Sequence, residues 1–413
     1  MKILMCNSFH YLRGGAERCF FELSAILEAN GHTVVPFCMS DERNLASKYS
    51  DYFMSQIDFP TKLKEGGVKS KLEVMERVIY SREANRKVTE LIEDTQPDIA
   101  HIHGIAHETS PSILPAIKRF GIPIVQTLHD YKLICPNTSF VSGNSVCEKC
   151  RGHRYYNVML NRCKRGSLPA SFLAAVEAYV HKGMQIYEKH VDHFISPSQF
   201  LKEKVESYGI QNPIVHLPNF INIDDFTPCY EPEDYFVFCG RLVPEKGIRT
   251  LVQAMKNINQ SHLYIAGNGE LEDDLKDFVR NNDIYNVTFL GHLPKEKLIP
   301  LIQKASFMVT PSEWYENNPM SVIEAFASGT PVVGANIGGI PELVQDNHTG
   351  MLFESGNQQQ LEISILSLLS NRENLIRMGQ NCRAHVETHN NPTTHYQQTL
   401  ALYQRLLRQS QFQ

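Results

Sequence analysis

Tyr235 to Gly247 reads YFVFCGRLVPEKG. Five apolar residues of strand length end at a glycine, and the turn beyond carries Arg241 and Lys246. A short apolar run bounded by turn residues fits a strand buried on both faces. The pattern repeats downstream in His262 to Ala266, Val287 to Leu290, Phe307 to Thr310 and Pro331 to Gly334, with helical segments between the runs. Alternating strand and helix predicts a parallel, doubly wound α/β sheet.

The same alternation runs upstream. Residues 2 to 8 read as a strand, Gly14-Gly15 as a turn, and Ala16 to Ala29 as a helix closed by Asn30-Gly31. Thr33 to Met39, Ile99 to His103, Ile122 to Leu128 and His193 to Ser196 are further strand-length runs. Between the two sets lies LPNFINIDDFTPCYEP, residues 217 to 232, with three prolines and no clear period. A chain of 413 residues also exceeds what one core usually supports. The expected organisation is therefore two Rossmann-like domains facing a central cleft. They span 1–216 and 233–390, joined by the linker 217–232, with a terminal helix within 391–413.

The N-terminal run MKILMC is cut short by Asn7, Ser8 and His10, too early for a signal-peptide core. The apolar stretch Leu168 to Tyr187 carries Glu177, His181 and Lys182, and suits an amphipathic helix better than a membrane span. A cytoplasmic location is expected. Up to residue 216 there are 26 Lys and Arg against 23 Asp and Glu; beyond it there are 14 against 22. An acidic second half does not suit nucleic acid. The mildly basic first half suits a peripheral contact with the inner membrane face, or simply a solvated surface.

Ligands of open α/β sheets bind at the carboxyl edge of the strands, so the loops there carry the chemistry. Gly14-Gly15 opens a helix after the first strand, where bare backbone N–H groups can approach an anion. The spacing G-x-G-x-x-G is absent, and a Gly-Gly pair is also ordinary turn chemistry. Arg241 and Lys246 flank the turn after Tyr235 to Cys239, and an Arg fork with a Lys point charge can neutralise a diphosphate. Glu316 and Glu324, eight residues apart, bracket a helix start at Pro319, whose free N–H groups near Met320, Ser321 and Val322 can face phosphates. His129 ends the strand Ile122 to Leu128, where it can reach a substrate hydroxyl with Asp130 orienting it.

Together these motifs resemble the family-four retaining glycosyltransferases of the GT-B fold. The likeness runs over nearly the whole chain and continues through Ala325 to Val333, Gly338 to Val344 and Thr349-Gly350. It implies that Arg241 and Lys246 hold the diphosphate of a nucleotide-sugar donor, that Glu316 contacts the transferred sugar and Glu324 the ribose. His129 would lie beside the donor sugar, and Gly14 and Gly15 would close on the phosphates. It further implies metal-independent chemistry with retention at the transferred sugar, and a terminal helix crossing back onto the first domain. The acceptor would be a hydroxyl of a glycan or a lipid-diphosphate-linked glycan, in cell-surface polysaccharide synthesis.

Cys135, Cys147, Cys150 and Cys163 cluster in a stretch of little periodicity, about 135–163. Their spacing suits a closed structural zinc site, with a redox pair or no metal as alternatives. Two other functions share features of the chain. A nucleotide-sugar epimerase shares the two-domain architecture, and a zinc-containing nucleic-acid-binding protein would explain the cysteines.

Overall fold

The computed structural model describes residues 1–64 and 67–410; the last three residues of the expected terminal segment, 411–413, lie outside it. Its strands are β1 (Lys2–Cys6), β2 (Thr33–Phe37), β3 (Ile99–Ile102), β4 (Ile124–Thr127), β5 (Val141–Ser142), β6 (Ser145–Val146), β7 (His193–Ser196), β8 (Ile214–His216), β9 (Tyr235–Cys239), β10 (His262–Ala266), β11 (Val287–Gly291), β12 (Met308–Thr310), β13 (Val332–Ala335) and β14 (Gly350–Phe353).

Two six-stranded parallel sheets result, in the orders β2-β1-β3-β4-β7-β8 and β11-β10-β9-β12-β13-β14. Helices cover both faces of each sheet, which is why the strands read as unbroken apolar runs. Alternate residues of β1 serve opposite cores. Ile3 and Met5 pack with Phe20, Leu23 and Leu27 of the helix Gly15–Ala29. Leu4 and Cys6 pack with Val88, Leu91 and Ile92 of the helix Arg82–Thr95. The second sheet has its own core around Phe236, Phe307, Val322 and Phe326. β5 and β6 form a separate antiparallel hairpin within the cysteine-bearing insert.

Strand order reverses between β1 and β3 in the first sheet and between β9 and β12 in the second. Each reversal leaves a crevice at the carboxyl edge where ligands of doubly wound sheets bind. Those edges carry Gly14-Gly15 and His129 on one side, and Lys246, Glu316 and Glu324 on the other.

The terminal helix Pro392–Ser410 crosses back onto the first domain. Leu402, Tyr403 and Leu406 enter the same core as Ile3 and Phe20. The Tyr403 hydroxyl lies 2.5 Å from Nδ1 of His101 on β3, and the opposite ring nitrogen of His101 is 2.7 Å from Thr127 Oγ1 on β4. His395, on the same helix, has Nδ1 3.0 Å from the Pro218 carbonyl. The C-terminus is therefore held by polar contacts inside an apolar core, where an unmade hydrogen bond is costly.

Two outcomes follow for stability. Tyr403→Phe removes one partner of a buried pair and is expected to lower unfolding free energy by about 1–3 kcal/mol, measured by chemical denaturation. Burial also holds His101 near a pKa of about 3, and His129 and His395 near about 4. A depressed histidine pKa contributes stability that is present above the unfolded value and is lost as pH falls through the folded one. Stability is therefore expected to decline from about pH 6.5 towards pH 4, with proton uptake on unfolding.

Candidate functional site

The second domain supplies a buried charge pair. Glu316 is only 5% exposed. Its Oε1 accepts from Lys246 Nζ at 2.6 Å and from Ser312 Oγ at 2.6 Å. Burial raises the Glu316 pKa, but the adjacent ammonium and the hydrogen bonds outweigh it and leave the carboxyl below its ordinary range. Lys246 ends the turn Pro244–Lys246 and also lies over the Trp314 ring, 5.3 Å from its centre.

Glycines set this geometry. Gly247 has φ +64°, and a Cβ there would stand 1.8 Å from the Pro311 carbonyl oxygen. The turn carrying Lys246 can approach the loop after β12 only because residue 247 lacks a side chain. Behind Glu316, a Cβ on Gly339 would stand 1.7 Å from the Asn317 carbonyl oxygen, and Gly339 N–H donates to Glu316 O at 2.8 Å. The loop is thus packed backbone to backbone on both sides.

The helix Met320–Ala327 follows Pro319. The Val322 N–H expected to face phosphates instead donates to Pro319 O at 3.1 Å, a tight first turn. Met320 and Ser321 have no backbone acceptor among the described residues, so their amides hold the positive end of the helix. Glu324 lies one turn further in and pairs with Arg18 of the first domain. Arg241 is largely exposed and touches Glu245 only at 3.6 Å.

The first domain faces these groups. Gly14 caps the helix Gly15–Ala29, and a Cβ on Gly15 would stand 3.4 Å from Met320 Cγ. The Gly-Gly turn and the start of the helix Met320–Ala327 thus meet across the cleft. Asn317 Nδ2 donates to Leu128 O at 3.0 Å, bringing the end of β4 beside the Glu316 loop. Glu342 accepts from the N-terminal amides of Gln199 and Phe200 at 2.7 and 2.6 Å.

His129 departs from expectation in its partner. Its Nε2 lies 2.8 Å from His103 Nδ1, and the two rings stack with centres 5.1 Å apart. His103 in turn stacks on His101 at 4.5 Å. Asp130, expected to orient His129, instead accepts from the Lys132 amide at 2.8 Å. The two rings require one neutral nitrogen to accept and the other to donate, so His103 fixes the proton arrangement of His129. Sequence reading missed His103 and Arg18. Arg18 lies three residues beyond the Gly14-Gly15 turn, but its role depends on a partner 306 residues away.

The zinc expectation for Cys135, Cys147, Cys150 and Cys163 finds no support. Among the described residues no group of three or more His, Cys, Asp or Glu is arranged to hold a metal ion. The four thiols are free and sit at different depths: Cys135 is buried, while Cys147, Cys150 and Cys163 are half-buried. Cys135 belongs to the core with Tyr131 and Phe140, whereas Cys150 and Cys163 pack on Val158, Ala174 and Ala175. Burial raises the thiol pKa values of Cys135, Cys150 and Cys163, that of Cys150 to about 12, which favours the protonated form of these three.

Lys246→Ala is expected to leave Glu316 buried without its cation and to destabilise the protein by about 3 kcal/mol at pH 7. In the wild type Glu316 contributes stability above its unfolded pKa; in the variant the Ser312 hydrogen bond remains but the ammonium is gone, so the carboxyl pKa rises and that contribution is lost. The difference between the two proteins should therefore shrink between pH 7 and pH 4, checked by denaturant titration at both.

Comparison with known proteins agrees with this architecture. Residues 13–225 match Glycosyltransferase Family 4, and residues 220–385 match Glycosyl transferases group 1. An uncharacterized glycosyltransferase of Methanocaldococcus jannaschii is 30% identical over 192 residues, 46% of this chain and 53% of its own. The amylovoran biosynthesis glycosyltransferase AmsK of Erwinia amylovora is 30% identical over 177 residues, 40% and 44% of the two chains. The chain spans about half or less of the length of these curated relatives. The fold extends further. Sucrose-phosphate synthase from Thermosynechococcus elongatus superposes with a TM-score of 0.71 at 19% identity, covering 98% of this chain and 99% of that one. Anabaena HepE, solved in complex with UDP-glucose, gives 0.68 at 16% identity, covering 98% and 100%. With one family matched across more than half of its length and two facing parallel sheets, this chain belongs to Glycosyltransferase Family 4.

Proposed function

We propose that the protein transfers a sugar, with retention of its anomeric configuration, from a nucleotide-diphosphate sugar to a hydroxyl of a glycan or lipid-linked acceptor. The observation that carries this is the convergence of Lys246, Glu316 and the open amides of Met320 and Ser321 at the strand-order reversal of the second sheet. One lysine has three N–H donors and uses one on Glu316. The others, with the helix N-terminus and the exposed guanidinium of Arg241, are suited to a leaving diphosphate.

Glu316 then contacts the sugar and Glu324 the ribose diol, a role in which the diol competes with Arg18 for the carboxylate. Gly14 and Gly15 close over the phosphates from the opposite domain. His129, neutral at pH 7 because burial holds its pKa near about 4, offers a hydrogen bond beside the donor sugar and is no source of positive charge. The positive groups named above neutralise the leaving group without a catalytic metal in the mechanism. The acceptor hydroxyl attacks from the face the diphosphate leaves, and a diphosphate oxygen takes its proton.

The curated relatives support this donor and acceptor class. They include the amylovoran enzyme and a GDP-mannose-dependent phosphatidylinositol monomannoside mannosyltransferase of Corynebacterium glutamicum, 29% identical over 223 residues. Calorimetry with UDP, GDP, ADP and their sugar conjugates should find one nucleotide that binds. Arg241→Ala/Lys246→Ala should weaken that binding by about a hundredfold, the loss of two charge-assisted contacts. Proton NMR of the product should then show the donor's anomeric configuration. Absence of any nucleotide binding would overturn the donor assignment, and an inverted product would overturn retention.

A further inference from the structure

We propose that the outer face formed by the cysteine-bearing insert and the helix Leu168–Met184 that follows it docks onto an anionic lipid bilayer. This rests on the transferase reading only in that it delivers the cleft to a lipid-linked acceptor. The contact itself is a property of the surface.

The helix Leu168–Met184 turns Ser171, Ala174, Ala175, Glu177 and His181 inward. Leu168, Phe172 and Tyr179 lie instead along one line of its outer side, within about 40° of the helical wheel. Phe172 is 54% exposed, and Leu168 and Tyr179 are also exposed. The short helix Tyr156–Leu160 extends the line. Tyr156 N–H donates to Tyr179 OH at 3.3 Å, and Leu160 is 66% exposed. Five large apolar side chains thus face solvent within one stretch of 24 residues, 156–179. A row of this kind has no partner among the described residues and marks an interaction surface.

Its charge identifies the partner. Lys149 to Met184 contains seven Lys and Arg and a single acid, Glu177. Glu177 is fully buried and paired with Lys132 at 2.7 Å, so it presents no negative charge outward. Arg151, Arg154, Arg162 and Arg165 are exposed. Aromatic and leucine side chains beside arginines, with no exposed acid in that segment, match the boundary between lipid headgroups and acyl chains in an anionic leaflet. A peripheral contact suffices for this surface: no described helix is long and apolar enough to cross a membrane.

The surface also stands where an acceptor would arrive. Lys164 Nζ lies 3.4 Å from His107 Nε2, and His107 follows β3 at the carboxyl edge of the first sheet. Lys132, three residues beyond His129, anchors the helix Leu168–Met184 through Glu177. Glu148 of the insert accepts from Tyr315 OH at 2.8 Å, next to Glu316. The insert therefore joins the lipid-facing side to the cleft.

The test is flotation of the full chain with vesicles of phosphatidylcholine alone and with vesicles containing about 30% phosphatidylglycerol. The wild type should bind the anionic vesicles at least about tenfold more tightly, and added salt should weaken the binding. Leu168→Ser/Phe172→Ser and Arg162→Glu/Arg165→Glu should each reduce it by about tenfold while thermal unfolding stays unchanged, since all four side chains are exposed. Equal binding to neutral vesicles, or none to either, would overturn the proposal. So would micromolar self-association in sedimentation that the serine pair abolishes, because the face would then join two copies. Nucleotide calorimetry on the same samples separates these failures from a failure of the transferase reading.

Discussion

A carboxylate buried against one lysine organises the second domain's edge. Glu316 keeps its pKa below the ordinary range in a place where burial alone would raise it, because Lys246 and Ser312 both meet it at 2.6 Å. That pairing depends on backbone approach more than on side-chain choice. Gly247 lets the lysine turn reach the Pro311 carbonyl, and Gly339 lets the following loop close behind Asn317. A buried pair held this tightly costs several kcal/mol to break from one side. The lysine therefore stays in position before any ligand arrives, which is the preorganisation that electrostatic catalysis requires.

The first domain is built to meet this edge. Arg18 and Ser198 of the first domain reach across to Glu324 and Asn317, Asn219 of the linker reaches Asn318, and the terminal helix returns to the first core through Tyr403. Closure is thus made from polar contacts at the cleft, from Tyr315 packed on Tyr131, Phe140 and Phe200, and from the terminal helix. Polar contacts at the cleft can exchange with a polar ligand, whereas the apolar ones keep the two halves in register. The stacked rings of His101, His103 and His129 link the two regimes, since His101 binds the terminal helix and His129 ends at the cleft.

Much of this was legible in the sequence because parallel strands covered on both faces leave apolar runs. β7, β9 and β10 fall at the expected residues, and the charged turn after β9 and the helix start at Pro319 follow from strand-edge logic. β8 and β14 went unread because IVH and GMLF are too short to stand out beside prolines and glycines. Arg18 and His103 have no local signature; each acquires its role from a distant partner. The insert shows the opposite failure. Cysteine spacing suggested a metal, but spacing does not report depth: Cys135 is buried in the first domain's core, while Cys150 and Cys163 pack at the edge of a smaller cluster and Cys147 is half-buried. Asp130 illustrates the same limit, since adjacency to His129 in sequence placed it near the ring without giving it the hydrogen bond.

The central claim is that the donor diphosphate binds between Lys246 and the open amides at Met320 and Ser321. A crystal structure with the nucleoside diphosphate that binds best tests it most directly. The account predicts phosphate oxygens within hydrogen-bond distance of Lys246 Nζ and of those two amides, with the ribose against Glu324. A diphosphate bound elsewhere, with Lys246 still paired only to Glu316, would contradict it.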